Sequence, residues 1–126
     1  MKITVQIDAI PQGRPRFYRG VAVDPPKCKQ FKETFAWLLL REVGQYALPF
    51  TGAVKVDIKV YRQSSKFNSA IVHQYGDVDN LAKGILDACT GILWRDDSQI
   101  VDLHIVKHIT DQIPFVELFF DSVDAF

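Results

Sequence analysis

"AVKVDIKVYR", residues 53–62, alternates without a break: Val54, Val56, Ile58 and Val60 against Lys55, Asp57, Lys59 and Tyr61. Successive strand side chains point to opposite faces, so this is a half-buried strand with a basic outer face. A sheet of such strands needs a cover on one side only. The cover is legible on both sides of it in the chain. "KCKQFKETFAWLLLREVGQYAL" (27–48) repeats Phe31, Phe35, Leu38, Leu39 and Val43 every three or four residues, and Lys29, Lys32, Glu33 and Glu42 fall largely outside that stripe. Pro49 and Gly52 end this helical segment. A second helix runs from about Asn80 to Thr90, with Leu81, Ile85, Ala88 and Cys89 inward and Gly91 as its stop.

Three more strands complete the set. "KITVQID" (2–8) puts Ile3, Val5 and Ile7 on one face, and "QIVDLHIVKH" (99–108) and "PFVELFF" (114–120) close the chain across a short "ITDQI" connection. The order β-α-β-α-β-β gives an α+β fold: one domain over residues 1–126, a small mixed sheet and two main helices. "PQGRPRFYRG" (11–20) reads as a loop or short irregular hairpin, and "QSSKFNSAIVHQYG" (63–76) as a mobile loop of functional length.

A chain of 126 residues buries about two-thirds of the surface its unfolded form exposes, enough for a real core. With 48% hydrophobic and 24% charged residues it has an ordinary globular composition, which argues against disorder. No apolar run approaches the ~20 residues that span a bilayer, so no membrane partner is expected. The N-terminus alternates like a strand and lacks an apolar signal core, which places the chain in the cytosol. Cys28 and Cys89 belong to no C-x-x-C pair and read as reduced, partly buried thiols. Net charge is zero but unevenly spread: residues 1–70 carry a net +7 and residues 71–126 a net −7. Either one surface serves a polyanion and another serves cations, or the halves interleave and neutralise each other.

The acidic half holds the chemistry. "YGDVDNLAKG" (75–84) sets Asp77 and Asp79 one residue apart where a loop becomes a helix, with Lys83 four residues beyond Asp79 and Asp87 four beyond Lys83. In an extended segment both carboxylates face one way and can converge on one ion. The other reading is an acidic cap at Asp79 with i,i+4 ion pairs, worth a few tenths of a kcal/mol each. "LWRDDSQIVD" (93–102) adds Asp96 and Asp97 one short helix later. Three carboxylates at ~5 Å repel by roughly 3 kcal/mol per pair at an effective dielectric near 20, which calls for a counter-ion, a shared proton or a basic partner. Carboxylate oxygens select Mg²⁺ or Mn²⁺ over zinc. An EF-hand is excluded, because Ala82 and Ala88 stand where its glycine and glutamate belong. His104 and His108 lie four apart in a strand and form no helical metal pair.

Residues 76–102, "GDVDNLAKGILDACTGILWRDDSQIVD", resemble the RusA family of Holliday junction resolvases. The resemblance rests on the Asp-x-Asp-Asn-Leu-x-Lys helix start, the downstream Asp-Ala and the Trp-x-Asp-Asp-x-Gln segment, with "GRPRF" (13–17) similar to a basic loop of many members. Cys89 departs from the leucine common after Asp-Ala. The resemblance implies a metal-dependent endonuclease, a homodimer that nicks two strands of a four-way DNA junction. It implies Asp77, Asp79 and Asp97 as metal ligands and Lys83 as the catalytic lysine, with Asp96 as an adjacent acid of open role. Less selective cutting of flaps or branched DNA, and junction binding without cutting, are the alternatives; no small-molecule cofactor is implied.

The residue chemistry agrees. Phosphodiester hydrolysis needs an activated water and charge relief at the phosphate, which a divalent metal supplies, and Lys83 can add positive charge there. Arg14, Arg16 and Arg19, with Lys27, Lys29 and Lys32, form a basic loop and helix start suited to phosphate contacts. Phe17 and Tyr18 are candidates for stacking on bases or for the core.

Overall fold

The computed structural model describes residues 1–13, 16–44, 46, 48–64 and 75–124, with the backbone alone at 16–18. Strand β1 (Lys2–Val5) leads to a hairpin of β2 (Arg16–Tyr18) and β3 (Val21–Val23), then helix α1 (Pro26–Glu42) and strand β4 (Val54–Gln63). Helix α2 (Val78–Cys89), a 3₁₀ turn (Asp97–Gln99), β5 (Ile100–Thr110) and β6 (Phe115–Ser122) follow. The main sheet has the order β1-β6-β4-β5 and is mixed: β4 runs parallel to β5 and antiparallel to β6. The α+β class, the two main helices and the small mixed sheet are therefore as the sequence reads.

The alternation of β4 divides the sheet faces. Val54, Val56, Ile58 and Val60 are buried together with Ile3, Val5, Val116, Leu118 and Phe120. Phe31, Phe35 and Leu39 of α1, and Leu81, Ile85, Ala88 and Cys89 of α2, join the same core, so both helices cover one face. The other face shows Lys55, Asp57 and Lys59 to solvent. Fully burying a Leu, Val or Phe side chain contributes about 1.5–3 kcal/mol, and this single layer carries most of the apolar burial.

Parallel pairing of β4 with β5 requires a crossover, and α2 provides it. The return is plugged by Trp94, wholly buried, whose indole N–H donates to Thr90 Oγ1 at 3.3 Å. That anchor leaves Arg95 to Ser98 exposed at the sheet edge, directly before β5.

Some boundaries differ from the sequence reading. Helix α1 stops at Glu42 rather than running to Leu48, with Val43 as its C-cap and Gly44 next. Helix α2 begins at Val78, two residues earlier than Asn80, because Asp77 and not Asp79 occupies the N-cap. The "PQGRPRFYRG" stretch supplies the first strand and the turn of a short hairpin, turned at Arg19 and Gly20 with φ of 51° and 79°, whose second strand, β3, follows it. Both cysteines are free and buried, and burial pushes the Cys89 thiol up. Most of the 63–76 loop lies outside the described residues.

Candidate active site

The first turn of α2 is fixed from behind. Arg62 Nη1 donates to the Tyr75 carbonyl and Lys107 Nζ to the Gly76 carbonyl, each at 2.6 Å. Gly76 has φ +90° and packs so closely on Pro11 that a Cβ there would collide with the proline ring. The Gln12 N–H then donates to the Asn80 carbonyl at 3.0 Å. The chain leaving β1 thus crosses the start of α2 at Pro11 and Gln12.

Asp77 is the N-cap of α2, but its carboxylate accepts no capping bond; only its backbone carbonyl is used, by Leu81 N–H at 2.9 Å. Asp79, in the first turn, is exposed and caps nothing. The Asp79–Lys83–Asp87 ladder of the alternative reading does not form among the described residues. Asp87 reaches across to α1 instead, pairing with Lys32 Nζ at 3.0 Å, and Lys32 also holds Asp24 at 2.9 Å. Lys83 is exposed and forms no ion pair or hydrogen bond among the described residues. The hydrogen bond from Lys32 holds the Asp24 carboxyl below its ordinary range. Burial pulls the Lys32 ammonium down, yet the bonds and charges of Asp24 and Asp87 together raise it above its usual value.

The adjacent acids Asp96 and Asp97 have different surroundings. The Asp96 carboxylate caps the 3₁₀ turn, accepting from Ser98 N–H at 3.1 Å and from the Ser98 hydroxyl. The Ser98 bonds hold its carboxyl below the usual range. Asp97 is exposed in the first turn, and its side chain makes no bond among the described residues. Asp79, Lys83, Asp87 and Asp97 line one cavity of about 320 Å³ between α2 and β5, with Val78, Ala82, Leu86, Leu103 and Ile105 as its apolar members. Larger hollows, of about 490, 440 and 340 Å³, lie against Leu38 and Arg41, against Lys55 and Asp121, and against Lys59 and His104, and contain none of these residues. Asp77 stands at the start of the same helix but does not line the cavity. No three metal-ligating side chains are close enough to hold an ion among the described residues. The i,i+2 convergence of an extended pair does not apply, since Asp79 is already helical.

Of the expected DNA-binding residues, Lys27 and Lys29 are exposed in the first turn of α1 and form no ion pair among the described residues. Arg19 sits in the hairpin turn, Arg16 is described by its backbone only, and Arg14 lies outside the described residues. Lys32 is engaged by two carboxylates instead of facing outward. Sequence reading missed that clamp, which no local spacing encodes. It also gave Gln99 no role, although Asp96-x-x-Gln99 has the spacing of a capping box.

Fold and site together define a small α+β protein with carboxylates and a lysine gathered where a helix start meets a sheet-edge loop. The chain belongs to the RusA family: the model of that family, described as endodeoxyribonuclease RusA, matches residues 6–119. That makes it a nuclease of the Holliday junction resolvase kind, from a family that binds branched DNA. It is also similar to the protein YqaN of Bacillus subtilis (strain 168), described as uncharacterized, with 34% identity across 99% of this chain and 98% of that protein. No helix among the described residues is long and apolar enough to cross a membrane.

Proposed function

We propose that this chain is a Mg²⁺-dependent endodeoxyribonuclease that resolves Holliday junctions by paired, symmetric nicks, working as a homodimer in the cytoplasm. Asp77, Asp79 and Asp97 hold the cation, Mn²⁺ can replace it, and Lys83 acts at the scissile phosphate. One observation carries the reading: these four side chains make no structural bond among the described residues, whereas the neighbouring Asp24, Asp87 and Asp96 are each committed to one. Exposed carboxylates without a structural duty keep their oxygens available to a cation.

The donor set fits a hard divalent cation, since it consists of carboxylate oxygens with all their lone pairs free. When bound, that ion supplies Lewis acidity at the phosphate and acidity for the attacking water. The Lys83 ammonium, one helical turn beyond Asp79, places positive charge where the phosphate gains negative charge. Lys27, Lys29, Arg19, Arg16 and Arg14 bind the backbone phosphates that position the junction. One chain contributes one such acid set, so two symmetric nicks call for two copies.

The test uses labelled four-way junction, linear duplex and flap DNA, each with Mg²⁺ or with EDTA. Symmetric nicks in the junction alone are expected, and only with metal. Cleavage of all three substrates would replace the assignment with a less selective nuclease. Junction binding without cleavage under any divalent metal would leave a binding protein and overturn the enzyme.

A further inference from the structure

The Gln99 amide has every hydrogen-bonding position filled. Its Oε1 accepts from the N–H groups of Arg95 at 2.8 Å and Asp96 at 2.9 Å. Its Nε2 donates to the carbonyls of Phe50 and Gly52, both at 2.9 Å. An amide offers two lone pairs and two N–H bonds, so the group is fully satisfied, and its neighbours allow one orientation only. Oxygen must face the two donors, and nitrogen the two carbonyls.

These bonds join segments that are 47 and 49 residues apart in sequence. The far end is rigid. Phe50 N–H donates to the Leu93 carbonyl at 2.9 Å, Phe50 bridges to Trp94, and its ring meets Phe120 edge-on at 6.1 Å. The near end is an exposed run, Arg95 to Ser98, with little apolar contact of its own. Asp97 lies inside that run. Its backbone is held by the cap on one side and by Ile100 N–H on the other, while its carboxylate stays unbonded beside Asp79 and Lys83.

We propose that Gln99 is the positioning residue of this site: by stapling the Arg95–Asp96 backbone to Phe50 and Gly52, it sets where the Asp97 carboxylate stands relative to Asp79 and Lys83. The proposal rests on the metal-site reading above. No other side chain serves as well. Leucine makes none of the four bonds, and glutamate turns a second oxygen toward two carbonyls. Asparagine is one carbon short of spanning the gap. A loosened staple leaves the ligand in place chemically but scattered in position, which weakens metal binding more than it impairs chemistry once metal is bound.

The experiment compares the parent protein with Gln99→Leu and with the near-isosteric Gln99→Glu, which guards against a folding failure of the first. Amide hydrogen exchange is read at Arg95 and Asp96, Mn²⁺ affinity by titration calorimetry, and junction cleavage across a Mn²⁺ series. Gln99→Leu is expected to exchange those amides at least about tenfold faster, and both variants to bind Mn²⁺ about 10–100-fold more weakly. Their junction affinity in EDTA should match the parent's, and their cleavage rate should recover to within a few-fold at saturating Mn²⁺. Parent-like exchange in folded Gln99→Leu, or parent-like Mn²⁺ affinity in either folded variant, would overturn the proposal, as would a rate loss that saturating metal does not relieve. A parent that binds no Mn²⁺ at all would instead overturn the metal site beneath it.

Discussion

Behind Trp94 two aspartates stand side by side, and only their hydrogen bonds separate them: Asp96 caps the 3₁₀ turn through Ser98, and Asp97 is left open to the cavity that Asp79 and Lys83 line. Replacing each by asparagine should therefore give opposite results. Asp97→Asn keeps the shape but loses the charge that holds a cation, and junction cleavage should drop by at least about a hundredfold with melting unchanged. Asp96→Asn retains an oxygen that accepts from Ser98 N–H, so cleavage should stay within a few-fold of the parent. Equal losses from both would remove the distinction. Lys83→Met should also cost about a hundredfold in rate with junction binding intact, measured at saturating DNA. In the sequence these residues were visible as a set, but the division of labour between Asp96 and Asp97 was not. Adjacent identical side chains carry no local signal of which one turns inward to cap, apart from the glutamine three residues on. The lysine ladder failed for a related reason: i,i+4 spacing says which groups can meet, and a partner on another helix outcompeted it for Asp87.

Helix α2 is held at its start by Pro11 and along its length by Lys32, and each contact can be broken singly. At Gly76 the backbone is left-handed and the space is filled by Pro11, so Gly76→Ala combines strain with a collision. About 2–3 kcal/mol of stability should be lost in urea denaturation, and cleavage should fall further as Asp77 and Asp79 shift. Gly44→Ala, with no atom within 4 Å of the added carbon, is the matched control and should be close to neutral. The Lys32 clamp has a pH signature. Asp24, lowered in the fold, stabilises fully above its unfolded pKa of about 3.9 and loses that contribution as pH falls through its folded value. Lys32, raised in the fold, stabilises fully below about 10.4 and loses its contribution as pH rises through its folded value. The difference in stability between the parent and Lys32→Met should thus be flat across neutral pH and shrink towards both extremes. With Asp24 and Asp87 about a third exposed, that difference should be only about 1 kcal/mol. Elements were the most legible level of the sequence, since periods of 2 and 3.6 are set by the backbone itself. Their ends were less so: the N-cap fell to Asp77 over Asp79, and either aspartate satisfies the local preference.

Across the whole molecule the +7 and −7 halves of the chain turn out to be only partly segregated. Lys2 meets Glu117 at 3.8 Å and Lys32 meets Asp87, so some of the basic half is neutralised by the acidic half within the fold. Sequence could not settle this, because charge along a chain becomes charge on a surface only through the strand order. Besides Lys83, Lys27 and Lys29 are exposed and form no ion pair among the described residues; they stand at the N-terminal end of α1, shortly after the β2–β3 hairpin. A helix N-terminus already carries partial positive charge, and two ammonium groups there make a phosphate-seeking edge. Neutralising phosphates releases counterions, so junction affinity should fall linearly with salt on logarithmic axes, with a slope near −0.9 per contact. If Lys27 and Lys29 each hold one phosphate, the double change to alanine should flatten that slope by about 2. It should weaken four-way and linear DNA alike, because phosphate contacts position the nucleic acid without reading its shape. The cleavage rate at saturating junction should not change, since neither lysine lines the acid cavity. An unchanged slope would move the DNA path away from α1; a lowered saturated rate would bring these lysines into the chemistry.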